Sequence, residues 1–80
     1  MAVIAIDFDG VIVENNFPSN EFDPYPAVLA KMRNLQQQGH KFILWTCREG
    51  HHLHDALDWL DEHDLMGLFE SVNREPDNMS

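Results

Sequence analysis

Eighty residues with a single cysteine allow one small domain, 1–80, whose core lies near the lower practical limit because short chains bury a smaller share of their surface. A hydrophobic content of 44% is that of a globular chain and argues against a disordered tail or polar linker. Fourteen acidic residues against five basic ones, a net charge of −9, argue against non-specific nucleic-acid binding and against an anionic membrane surface, since both require cations.

In chain order, residues 1–6 form an apolar run stopped by Asp7 and Asp9. The run lacks the basic leader and longer apolar core of a signal peptide. No apolar stretch approaches the ~20 residues that span a bilayer. Cys47 has no partner for a disulfide. A soluble, reduced, cytoplasmic setting is therefore expected. Val3-Ile4-Ala5-Ile6 reads as a first strand buried on both faces, as in a parallel sheet. Residues 11–25 follow as a loop, with turn formers Asn15, Asn16, Pro18, Ser19, Asn20 and Pro24. Pro26 opens a helix whose apolar stripe is Val28, Met32 and Leu35, and Gly39 closes it.

Phe42-Ile43-Leu44-Trp45 reads as a second strand. A second helix over about 50–63 carries Leu53, Ala56, Leu57 and Leu60 on one face, with His51, His54, Asp55, Asp58 and Glu62 opposite. Residues 68–72 form a third, weaker strand, and the polar residues 75–80 read as a frayed end. Trp45 and Trp59 read as core or core-edge aromatics. His51, His52 and His54 read as solvated side chains, since those facing away from the leucines share their surface with acids.

The order β-α-β-α-β predicts an α/β, Rossmann-like three-layer fold with a parallel sheet. Right-handed crossovers between sequential strands put both helices on one face. The other face then needs a cover, either a partner subunit or the rest of a longer fold.

The chemistry concentrates where the first strand ends, at Asp7-Phe8-Asp9-Gly10. Ligand sites of parallel α/β sheets lie outside the carboxyl ends of the strands. Residues i and i+2 of an extended segment point the same way, so both carboxylates address one site. Gly10 lets the chain turn sharply after them. The second strand ends at Thr46-Cys47-Arg48, bringing a hydroxyl and a cation to the same edge. Hard oxygen ligands beside a hydroxyl and a guanidinium suit Mg²⁺ and a phosphate group. The bland alternatives are a strand-ending turn at Asp7–Asp9, a plain strand residue at Thr46 and a solvated charge at Arg48. Cys47 does not fit a thiol phosphatase, because Leu53 stands where the phosphate-loop arginine belongs; it reads as a small packing residue.

The segments Ile4-Ala5-Ile6-Asp7-Phe8-Asp9-Gly10-Val11-Ile12-Val13-Glu14 and Phe42-Ile43-Leu44-Trp45-Thr46-Cys47-Arg48-Glu49 resemble the haloacid dehalogenase superfamily. The likeness is to its small, capless phosphatase-like members, and it covers the N-terminal half of that fold. The resemblance implies a Mg²⁺-dependent phosphohydrolase core acting on a small phosphorylated substrate. In it Asp7 is the nucleophile that forms an aspartyl-phosphate, and Asp9 is the general acid/base. The Asp7 carboxylate and the Asp9 carbonyl would ligate Mg²⁺. Gly10, Thr46, Cys47 and Arg48 would make up the phosphate and substrate contacts.

Two elements of the family pattern have no clear counterpart. For its later lysine, Lys31 lies in the first helix, Lys41 at the opposite sheet edge, and only Arg74 remains. For its late acids, Asp77 follows Pro76 in the tail. The alternative reading is thus a truncated, weakly active or inactive module that associates with itself or a partner, as a homodimer for instance, through its uncovered sheet. A phospho-receiver module fits less well, because Asn73 and Arg74 follow the third strand where its acceptor aspartate is expected.

Overall fold

The structure, a computed structural model, describes residues 2–74. Their elements run β1 (Val3–Ile6), α1 (Pro26–Gln37), β2 (Lys41–Leu44), α2 (Gly50–Glu62), a short 3₁₀ turn (Met66–Leu68) and β3 (Phe69–Val72). The expected frayed end, 75–80, and Asp77 within it lie outside the described residues.

The three strands form one parallel sheet in the order β1-β2-β3. Val3 to Ile6 pair in register with Lys41 to Leu44. The β2–β3 pairing shifts by one residue between Phe42 and Ile43, so Phe42 faces Phe69 while Leu44 faces Val72. The shift skips Glu70, whose carboxylate meets Lys41 Nζ at 3.1 Å. Lys41 is thereby held at the sheet edge remote from the strand C-termini.

Both helices pack on the same face. Phe42 and Leu44 of β2 share one buried cluster with Met32 of α1, Ala56 and Leu60 of α2, and Leu65 and Leu68 of the turn before β3. Two sequential right-handed crossovers require this arrangement. Pro26 occupies the first turn of α1, where a missing N–H costs nothing. Gly39, at φ +93°, takes the left-handed conformation that ends the helix.

On the other face, alternation along the strands leaves Val3, Ala5, Ile43 and Trp45. Among the described residues no second helical layer lies on this face, although Ile43, in the central strand, is buried. Ala5 is exposed and Trp45 is 50% exposed. Trp45 is therefore not a core aromatic: the face its ring needs for burial is open. Trp59 does join the core edge, with edge-on contacts to Phe8 and Phe22 at 6.0 and 5.8 Å between ring centroids.

The segment after β1 is more ordered than a surface loop. Phe8, Ile12 and Val13 are fully buried. The Phe8 carbonyl accepts N–H bonds from Ile12 and Val13 at 3.0 and 3.2 Å, and the Gly10 N–H donates to the Val13 carbonyl at 2.7 Å. Gly10 makes this turn at φ +83°. A Cβ there would meet only the Asn15 Cβ, at an ordinary 3.8 Å, so backbone conformation and not space requires glycine.

Beyond the turn, the chain leaves and returns through a narrow neck. Glu14 N–H donates to the Asp23 carbonyl at 2.8 Å and Tyr25 N–H to the Ile12 carbonyl at 2.9 Å. Residues 15–22 form a flap between these bonds. Phe22 anchors it in the core against Phe8, 5.3 Å between centroids. No helix among the described residues is long and apolar enough to cross a membrane.

Candidate active site

A pocket of about 280 Å³ opens at the carboxyl edge of the sheet, lined by Asp7, Asp9, Asn15, Phe17, Thr46, Cys47 and Arg48. Parallel pairing of β1 with β2 sets its two sides. The Trp45 N–H donates to the Ile6 carbonyl at 2.8 Å, so the residues that follow each strand leave the sheet side by side. Asp7 and Asp9 come from one exit, and Thr46, Cys47 and Arg48 from the other.

Asp7 is exposed. Its Oδ1 accepts the Phe8 N–H at 2.7 Å, which orients the carboxylate and leaves its second oxygen without a donor among the described residues. Thr46 Oγ1 accepts the Arg48 N–H at 3.1 Å, which leaves the hydroxyl proton available for a ligand. The Cys47 backbone N–H has no acceptor among the described residues. Cys47 is exposed and forms pocket wall, which corrects its reading as a small packing residue.

Arg48 is only 4% exposed and is not a solvated strand-end charge. Its Nε and Nη2 donate to the two carboxylate oxygens of Asp9, both at 2.7 Å. Its Nη1 donates to the His52 carbonyl at 3.1 Å. Phe8, Phe17 and Phe22 surround the guanidinium, with their ring centroids 5.4, 5.1 and 5.2 Å from Cζ. A planar cation that donates in a fork and stacks on rings is what this environment requires. Three of the five guanidinium N–H groups are thus committed to the protein, which makes Arg48 foremost the residue that holds Asp9.

The expected site residues therefore converge, with one exception. Gly10 does not line the pocket and instead shapes the turn that follows Asp9. His51 and His54 are exposed, and His54 lies 3.5 Å from Asp58 on the surface of α2; His52 is not simply solvated but half-buried, its ring 4.9 Å from that of Phe17. Arg74 follows β3, where its carbonyl accepts the Ser71 hydroxyl; it is not among the residues lining the pocket.

Three contributors were not legible as site residues. Asn15 and Phe17 enter the pocket from the flap, and only the closed neck reveals that a turn-rich segment folds back over the strand ends. Asn73 acts from behind. Its Oδ1 accepts the Thr46 N–H at 2.7 Å, while its own N–H donates to the Leu44 carbonyl at 2.7 Å. It does so at φ +55°, a conformation asparagine tolerates better than most residues. An asparagine directly after a strand was the available signal.

As for a cation, the Asp7 carboxylate and the Asp9 carbonyl are hard oxygen donors, and the carbonyl accepts no N–H among the described residues. That pair fits Mg²⁺, which keeps several waters and takes few protein ligands. No group of three or more His, Cys, Asp or Glu suited to a metal occurs among the described residues.

No family model matches the sequence, and no curated protein does. Solved structures do. A conserved protein from Bacteroides thetaiotaomicron superposes with a TM-score of 0.79 at 35% identity, over 95% of this chain and 60% of its own. A protein from Vibrio cholerae gives 0.75 at 20% identity, over 100% and 76%. A chain of the Pnkp1/Rnl/Hen1 complex gives 0.72 at 21%, over 99% and 29%. The chain thus spans about 60% of the Bacteroides protein, and across all three it shares a fold with segments of larger proteins.

Proposed function

We propose that this chain is the core of a Mg²⁺-dependent phosphohydrolase that acts through an aspartyl-phosphate, as its resemblance to the haloacid dehalogenase superfamily implies. The observation that carries the reading is the convergence of Asp7, Asp9 and Thr46 on one pocket from two adjacent strand ends. In the first step the free oxygen of Asp7 attacks phosphorus. The bond from phosphorus to the leaving oxygen breaks, and that oxygen takes a proton from Asp9. In the second step a water gives a proton to Asp9 and attacks phosphorus, the bond to Asp7 breaks, and inorganic phosphate leaves. The Thr46 hydroxyl and the Cys47 N–H donate to the phosphoryl oxygens. Mg²⁺ bound at Asp7 and the Asp9 carbonyl would neutralise charge there.

Asp9 has both oxygens engaged by Arg48, so one of those bonds must open for Asp9 to carry the proton. The pocket lies just below the ~300–1,000 Å³ of typical small-molecule sites, which supports a small substrate. Asp7→Asn should abolish Mg²⁺-dependent phosphate release from phenyl phosphate. Equal rates for the variant and the parent would refute the reading.

A second reading is favoured by the open sheet face with its exposed Trp45. In it the chain is a weakly active module that associates with a copy of itself or a partner. Light scattering at rising concentration tests this, since a strict monomer counts against self-association.

A further inference from the structure

We propose that Phe17 is a specificity-determining residue of this pocket, a platform for a planar, apolar leaving group, so that the site selects aryl esters of phosphate over polyol esters. The inference rests on the phosphohydrolase reading and adds a substrate class to it. Two phenylalanines of the flap behave differently. Phe22 is packed into the core, whereas Phe17 is 50% exposed and lines the pocket. A single exposed ring needs no explanation by itself. This one, however, is pinned. Its ring lies 5.1 Å from the Arg48 guanidinium carbon and 4.9 Å from the His52 ring, and the flap beneath it is tied at the neck. These neighbours and the tied neck hold the ring in place while half of it stays accessible, so a ring that stacks on it meets a surface already ordered.

The position of Phe17 matches the path of the leaving group. The group departs on the side of Asp9, which supplies its proton, and Arg48 joins Asp9 to the underside of Phe17. Charge narrows the class further. Arg48 is the only cationic side chain lining the pocket among the described residues, and it is committed to Asp9. A second anionic group on the substrate would find no partner. A volume of about 280 Å³ suits a phosphoryl group with one small ring.

The experiment compares two non-hydrolysable probes, phenylphosphonate and methylphosphonate, each titrated with Mg²⁺ present into the full chain. The parent should bind phenylphosphonate about tenfold more tightly, the gain expected from one stacked aromatic pair. Phe17→Ala should bring the two probes within about twofold of each other by weakening phenylphosphonate several-fold more than methylphosphonate. Phe17→Tyr retains the ring and should retain the preference, which separates loss of the platform from loss of the fold. Equal affinities in the parent, or equal weakening of both probes by Phe17→Ala, would overturn the proposal. A parent that prefers phenylphosphonate yet releases no phosphate from phenyl phosphate would leave the platform standing and count against the phosphohydrolase reading alone.

Discussion

Asp7 and Asp9 are two residues apart, yet the protein uses them differently. Asp7 is exposed and oriented by a single backbone N–H. Asp9 is locked to a buried guanidinium through two hydrogen bonds, with side-chain exposures of 2% for Arg48 and 16% for Asp9. The consequence for mutagenesis is direct. Removing one member of a buried ion pair costs about 3–5 kcal/mol, because the other charge is left uncompensated. Arg48→Met should therefore lower the unfolding free energy in urea by about that amount, and Asp9→Asn should shift it in the same direction. Arg48→Lys should fall between Arg48→Met and the parent, since lysine keeps the charge but cannot reproduce the fork. A midpoint for Arg48→Met equal to that of the parent would contradict the pairing. Asp7→Asn breaks no ion pair and should leave stability nearly unchanged, so it is the cleaner probe of chemistry.

At the level of elements, three strand ends cooperate to shape one site. β1 delivers the carboxylates, β2 the hydroxyl, and the residue after β3 fixes the backbone of the β2 exit through the Asn73–Thr46 bond. Asn73→Ala should cost at least about 1 kcal/mol, for the lost hydrogen bond and for an alanine held at φ +55°, and should weaken phosphate binding, because Thr46 and Cys47 lose their anchor. Asn73→Asp keeps the acceptor and should restore most of the stability, measured by the same urea titration. Much of this arrangement can be read from the sequence. Apolar runs at 3–6 and 42–45 mark buried parallel strands, and the leucine stripe of α2 marks the face it buries. The Asp7/Asp9/Thr46 edge follows from strand direction alone. The flap does not, because its neck is made of backbone bonds between 12–14 and 23–25 that no side-chain pattern announces. The burial of Arg48 was hidden for a related reason: its partners lie 39 residues upstream at Asp9 and on the flap at Phe17 and Phe22.

For the whole molecule, the asymmetry of the sheet dominates. One face carries two helices and the core, while the other shows Ala5 and Trp45 to solvent. Parallel sheets are ordinarily covered on both faces. Sequential right-handed crossovers make this asymmetry legible in the sequence, although the exposure of Trp45 is not, since an apolar strand end reads the same whether or not a layer covers it. An uncovered tryptophan on an apolar face favours association. Trp45→Glu should therefore reduce any concentration-dependent rise in light scattering while leaving helix content by circular dichroism unchanged. Scattering identical to that of the parent would show that this face does not mediate association.

Under the proposed function Asp7 takes the phosphoryl group. Acid quenching during turnover of phenyl phosphate with Mg²⁺, followed by intact-mass and peptide-mass spectrometry, tests it most directly. The peptide that contains Asp7 should carry one phosphoryl group, and the same peptide of Asp7→Asn should carry none. Phosphate release by the Asp7→Asn chain at the parent rate, or an adduct mapped to another residue, would contradict it.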